Sequence, residues 1–211
     1  MEGVTKQALY QARVERHGEE AVQKLQSACV GIAGLGGLGS HIAVSLARMG
    51  VGKLVLADFD RVDVTNLHRQ QYFTQQVGLL KTEALADTLR KIDPWLRLEL
   101  HPTRLTPENF PTIFGSCPIL CEAFDKAEEK AMLLETVLTE LPHTIVVSGS
   151  GMAGTGSVNK IQTRKAMKRL YLCGDGETDV AEYGSLFASR VAVCAGHQAH
   201  MVLRLLLGEA E

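Results

Sequence analysis

The chain has 211 residues, 45% of them apolar, and a formal charge of -2. That length allows one large or two small domains with a full core, and the near-neutral charge gives no general electrostatic reason to bind nucleic acid, although a local basic patch could be hidden in that sum. Residues 2–20 are polar with no apolar signal region, and no apolar run approaches the roughly 20 residues needed to cross a bilayer, so a cytoplasmic protein without membrane contact is expected.

In chain order, residues 7–26 read as a weakly amphipathic helix, 28–33 (ACVGIA) as a buried strand, 40–49 as the helix after a glycine turn, and 53–58 (KLVLAD) as a second strand. Residues 82–92 place Leu85, Ala86, Leu89 and Ile92 on one helical face and stop at Asp93-Pro94. Alternation in 96–101 (LRLELH) predicts a half-buried strand. Thr106-Pro107-Glu108 reads as an N-cap, a first-turn proline and an acid opening a short helix to about Phe114. A strand over 119–124, a helix over 126–141 and a strand over 144–148 follow. Residues 149–156 are rich in glycine and serine, 161–172 are irregular and partly basic, and 173–184 read as a mobile acidic loop. Helical spacing of Val191, Cys194, Met201, Val202, Leu205 and Leu206 predicts a last helix over 188–207. Such alternation implies a single α/β domain with a Rossmann-like, doubly wound, mostly parallel sheet: an N-terminal helical arm (1–27), a core (28–148) and a terminal segment (149–211).

Chemistry concentrates at the first strand end. Gly34, Gly36 and Gly39 form a G-x-G-x-x-G turn between strand and helix, and Gly37 gives further room for a phosphate at the helix N-terminus. Asp58 lies 24 positions after Gly34, near the spacing of a ribose ligand, with Asp60 beside it. The next loop carries Asn66, Arg69 and Gln70, groups suited to more phosphate or to an anionic substrate end. A dehydrogenase needs none of them there. Lys81 opens a helix, where a cation opposes the helix dipole unless an anion is near. Leu80 stands where a Walker loop needs glycine, which rules that motif out. Asp125, after a strand, suits either Mg²⁺ or an N-cap.

The five cysteines are scattered, with no C-x-x-C pair. Neither disulfides nor structural zinc are expected, and Cys117 and Cys121, four apart on one strand, should share a face. His41, His68, His197 and His200 lack metal-ligand spacing.

Taken in order, GLGGLGS, DFDRVDVTNLHRQ, GLLK, the aspartate of EAFDKAEEK and SGSGMAG resemble the ubiquitin-activating-enzyme-like adenylyltransferases, the family of ThiF, MoeB and HesA proteins. EAFD, LYLCGD and the C-terminal helix are most similar to its short ThiF-type members of thiamine synthesis. The resemblance implies attack by the C-terminal Gly-Gly carboxylate of a ubiquitin-like sulfur carrier on the α-phosphate of MgATP, giving an acyl-adenylate and pyrophosphate. It implies that Gly36 and Gly37 admit the nucleotide and that Asp58 binds ribose. Asp60 and Asn66 would line the site, Arg69, Gln70 and Lys81 would contact phosphates, and Asp125 would organise Mg²⁺. It also implies a homodimer in which an N-terminal arginine, Arg13 in preference to Arg16, reaches the partner's ATP. The chain departs from many relatives in lacking two zinc-binding C-x-x-C pairs and in having Lys126 after Asp125. Cys173, in a polar and flexible context, is either a carrier-accepting thiol or a structural one. The competing readings are a tRNA-modifying ATP-dependent dehydratase of the same family, an NAD-linked oxidoreductase, and a noncatalytic nucleotide-binding module.

Overall fold

The computed structural model of the chain describes residues 3–209. Two helices, α1 (Lys6–His17) and α2 (Glu19–Ser27), replace the single predicted one. They part at Gly18, whose φ of 83° ends the first turn ladder. Helix α1 buries no side chain, whereas α2 places Val22 and Leu25 in the core.

The core begins with β1 (Cys29–Ala33), α3 (Gly37–Met49), β2 (Lys53–Ala57), α4 (Lys81–Ile92) and β3 (Arg97–His101). It continues with α5 (Phe110–Phe114), β4 (Ile119–Glu122), α6 (Ala127–Glu140) and β5 (Ile145–Gly149). Helix α5 starts later than predicted, because the Asn109 side chain accepts the Thr106 N–H at 2.9 Å and makes a turn of the preceding residues. The segment expected to be irregular is a hairpin, β6 (Gln162–Met167) and β7 (Leu170–Gly174). Every side chain of β6 is exposed, so no alternation marks it as a strand. A short α7 (Val180–Tyr183) and the long α8 (Ala188–Leu207) complete the chain.

One seven-stranded sheet runs β3-β2-β1-β4-β5-β7-β6, parallel except for β6. Alternate residues of each strand feed two cores. Val30, Ile32, Leu54, Leu56 and Val147 meet α3, α4 and α8 on one face, while Val55, Leu120 and Val146 meet α5 and α6 on the other. Cys117 and Cys121 therefore fall on opposite faces, contrary to the expectation. Cys117 precedes β4, in a turn where its N–H donates to Phe114 O, so the period-2 rule never applied to it. The sheet is wound outward in both directions from β1 and β4, and at such a switch the loops beyond the strand ends separate and leave a crevice.

Candidate nucleotide site

The crevice is built first by the turn from β1 into α3. Gly34 has φ +88°, and a Cβ on Gly39 would stand 1.9 Å from Gly34 O, so both glycines are required by the turn itself. Gly36 is the N-cap of α3 without any side-chain cap, which leaves the helix amides open toward the crevice. Asp58, at the end of β2, clamps this turn: Leu35 N–H donates to one carboxylate oxygen at 2.6 Å and Asp60 N–H to the other at 2.8 Å. From the other side the Tyr72 hydroxyl donates to Leu35 O at 2.8 Å. Burial pushes the Asp58 carboxyl up, against the opposing pull of Lys81 and the two backbone donors.

Lys81, buried at the first turn of α4, has the anion that its position demands. Its ammonium lies 2.8 Å from the Asp60 carboxylate and 4.0 Å from Asp58. The loop between these residues carries Asn66, whose Oδ1 accepts the Asp63 N–H, leaving the amide nitrogen without a partner among the described residues. Arg69 donates to Thr65 O at 3.1 Å. Gln70 is buried, with a side-chain oxygen that has no hydrogen-bond donor among the described residues, and it lies against Gly36. An orphaned amide beside an open helix N-terminus is a polar group waiting for a ligand.

Across the crevice, β4 ends in Glu122, whose side chain is wholly buried and surrounded by donors. Ser148 Oγ donates at 2.5 Å, Phe124 N–H at 2.7 Å and the Lys130 ammonium at 2.9 Å to both oxygens. Lys130 also donates to Gly149 O at 3.0 Å, so one buried ion pair holds together β4, β5, α6 and the turn that presents Asp125. Asp125 itself is exposed, has no ion pair or hydrogen bond among the described residues, and does not cap α6, whose N-cap is Lys126 without a side-chain cap bond. Mg²⁺ held against phosphates needs only one or two carboxylates and keeps several waters. A free carboxylate opposite the glycine turn fits that demand. Among the described residues no cluster of three or more His, Cys, Asp or Glu is placed to hold a metal unaided.

These groups enclose a cavity of about 700 Å³, within the size range of ligand sites. Gly34, Gly36, Gly37, Asp58, Asp60, Asn66, Arg69, Gln70, Lys81 and Asp125 all line it. Gly39 does not, being packed under the turn. Arg13 lies at the opposite edge of the sheet, its guanidinium 2.8 Å from Asp93 and 3.2 Å from Ala47 O. Its own chain thus holds the arginine expected to reach out, while Arg16 is exposed in the last turn of α1. Cys173 is fully buried on β7, with a thiol pushed up to about 11 by burial, so its expected flexible, polar setting was mistaken. The acidity read around it belongs to the following loop, where Asp175 accepts the Glu177 and Thr178 N–H groups and pairs with the buried Arg190.

Several lining residues had not been singled out from the sequence. Lys130 was signalled by Glu122, since a carboxylate inside an apolar strand demands a cation. Arg104, stacked 4.4 Å over the Phe59 ring, and the loop residues Glu177 and Asp179 carried no comparable signal.

Known proteins resemble this chain in sequence and in fold. The chain is 35% identical over 143 residues to the adenylyltransferase and sulfurtransferase MOCS3 of Culex quinquefasciatus, covering 67% of this chain and 32% of that protein. It is 40% identical over 91 residues to ubiquitin-like modifier-activating enzyme 5 of Caenorhabditis elegans, covering 43% and 22%. The chain thus spans about a third or less of the length of these curated relatives. Its fold matches Escherichia coli tRNA N6-threonylcarbamoyladenosine dehydratase, TcdA, solved with AMP, with a TM-score of 0.85, 23% identity and 99% of both chains covered. Escherichia coli MccB solved with ATP matches with a TM-score of 0.69 and 22% identity over 97% of this chain and 63% of that one. The ThiF family model matches residues 9–211, and the chain belongs to the ThiF family.

Proposed function

We propose that the chain is an adenylyltransferase that activates the C-terminal glycine of a ubiquitin-like sulfur carrier, of the ThiS type serving thiamine thiazole synthesis, at the expense of ATP. The observation that carries this reading is the meeting, in one cavity, of an open helix N-terminus, the cations Arg69 and Lys81, and the unpartnered Asp125. The reaction joins two anions: a carrier carboxylate oxygen bonds to the α-phosphorus while the bond to the β-phosphate oxygen breaks and pyrophosphate leaves. No protein nucleophile is needed, only alignment and charge neutralisation. The amides of Gly36 and Gly37 and the Gln70 Nε2 would donate to phosphate oxygens, leaving Gln70 Oε1 to accept from a donor on the ligand. Asp58 and Asp60 would take the ribose, while Arg69 and Lys81 would balance charge on the triphosphate. Asp125 would hold Mg²⁺, which neutralises and orients the phosphates when bound. A homodimer would add an arginine from a partner. Arg16 suits that part because Arg13 is already engaged.

A second reading has one observation in its favour. Residues 141–174 contain no Asp or Glu but include Lys160, Arg164, Lys165, Lys168 and Arg169, a basic tract hidden in the near-neutral total. An RNA substrate would use such a tract, as a tRNA-modifying dehydratase requires. ATP–pyrophosphate exchange separates the two. Exchange that depends on a carrier with a free Gly-Gly end supports the carrier reading. ATP turnover stimulated by tRNA and indifferent to carriers transfers the function to the dehydratase, and tight NAD binding without either activity refutes both.

A further inference from the structure

At the edge of the sheet opposite the nucleotide cavity, Cys29 opens β1 and Cys117 sits in the turn before β4, with their sulfurs 3.7 Å apart. We propose that these two thiols are an oxidative modification site, converted by a hydroperoxide or a small-molecule disulfide into an intramolecular disulfide. Strands β1 and β4 are neighbours with Val30 opposite Ile119, so Cys29 and Cys117 stand at adjacent strand entries, one residue out of register. Both side chains belong to the core layer under α5 and α6, and the sulfurs need to close by less than about 2 Å to reach bonding distance.

The surroundings favour one thiol as the attacking group. Cys29 is partly exposed, whereas Cys117 is buried and its backbone is fixed by the Phe114 carbonyl and the Thr144 hydroxyl. In-register pairing puts Lys53 beside Cys29, with the Lys53 ammonium itself 2.7 Å from Glu99. The hydrogen bond shared with Cys117, aided by the Lys53 charge, holds Cys29 below the usual thiol range against the opposing effects of burial and Glu99, and the same bond with burial pushes Cys117 up. With hydrogen peroxide, the Cys29 thiolate attacks one oxygen, the O–O bond breaks, and a sulfenic acid and, after protonation, water are formed. The Cys117 sulfur then displaces the sulfenic oxygen as a second water. Two thiols lose two electrons and two protons, and one peroxide becomes two waters. Cys121, Cys173 and Cys194 are buried on the other face, with thiols pushed up by burial, and serve as internal controls.

The test uses the reduced full chain exposed to hydrogen peroxide or oxidised glutathione, then unfolded and titrated for thiols. Two of the five thiols should be lost with a mass decrease of about 2 Da, and digestion should link the Cys29 and Cys117 peptides. Cys29→Ser should keep all four remaining thiols under the same exposure. Cys117→Ala, if folded, should take a glutathione adduct at Cys29 instead. Retention of five thiols in the wild-type chain, a link between any other pair, or only intermolecular Cys29 disulfides would overturn the proposal, and these three outcomes are read on the wild-type chain, without recourse to the variants.

Discussion

Replacing Glu122 by glutamine tests the physical account of the site most directly, because it changes no volume and removes one charge. Three donors make four hydrogen bonds to this wholly buried carboxylate, two of them from the ammonium of Lys130, whose side chain is 25% exposed. The Ser148 hydroxyl can rotate to accept from a new amide NH₂, but Lys130 has nothing to accept with and loses its counter-charge. Breaking a buried pair from one side costs about 3–5 kcal/mol, and the partial exposure of Lys130 argues for the lower value, about 3 kcal/mol. In a chain of this length that is a fall in Tm of roughly 6–12 °C. Urea unfolding followed by the fluorescence of Trp95, the single tryptophan, measures it. Removing both partners should hurt little more than removing one: E122Q/K130M is expected within about 1 kcal/mol of E122Q, giving strong coupling in a double-mutant cycle. A loss below about 1 kcal/mol for E122Q, or additivity of the two changes to within about 0.5 kcal/mol, would refute the view that this pair ties the strand ends together.

Asp125→Asn should leave the unfolding midpoint unchanged, since the carboxylate has no protein partner, while lowering pyrophosphate exchange by a factor of about 100 or more; a normal rate would remove it from the metal site. Cys173, with its thiol near 11, should be about one part in a thousand thiolate at pH 8, a fraction that rises as the pH rises toward 11. Brief alkylation of the native chain at pH 8 followed by peptide mapping should therefore mark Cys29 and spare Cys173, and early labelling of Cys173 would restore its candidacy as a carrier acceptor. Arg13→Ala should cost about 2–3 kcal/mol by leaving the buried Asp93 without its cation. The same variant should keep most of its exchange activity at temperatures where it is folded, and a stable but inactive R13A would return the trans role to Arg13.

The nucleotide end of the fold was legible because its constraints are local. A glycine turn, an acid at the next strand end and a polar loop must be close in sequence to work, and ten of the named positions do line one cavity. What was not legible came from contacts distant in sequence or from missing patterns. Arg13 meets Asp93 across 80 positions, so nothing near Arg13 announced that it was already paired. The polar letters around Cys173 misled because Asp175 and Arg190 bury one another there. Strand β6 lacked the alternation by which strands are recognised, and Gly18 splits the N-terminal helix by a backbone angle rather than by any change in apolar spacing.

That strand ends the sheet, and among the described residues its outer side has no neighbour. Such an edge is a template for a second chain, and charges on an edge strand oppose that pairing. In an antiparallel edge pairing centred between Arg164 and Lys165, each would lie opposite the other residue of a second molecule. Their mutual repulsion fades as the screening length shortens toward about 8 Å at physiological ionic strength and below it in stronger salt. Added salt should therefore favour self-association of this protein through β6, and would weaken any polyanion bound to the same tract, so that one set of side chains would govern both responses to ionic strength.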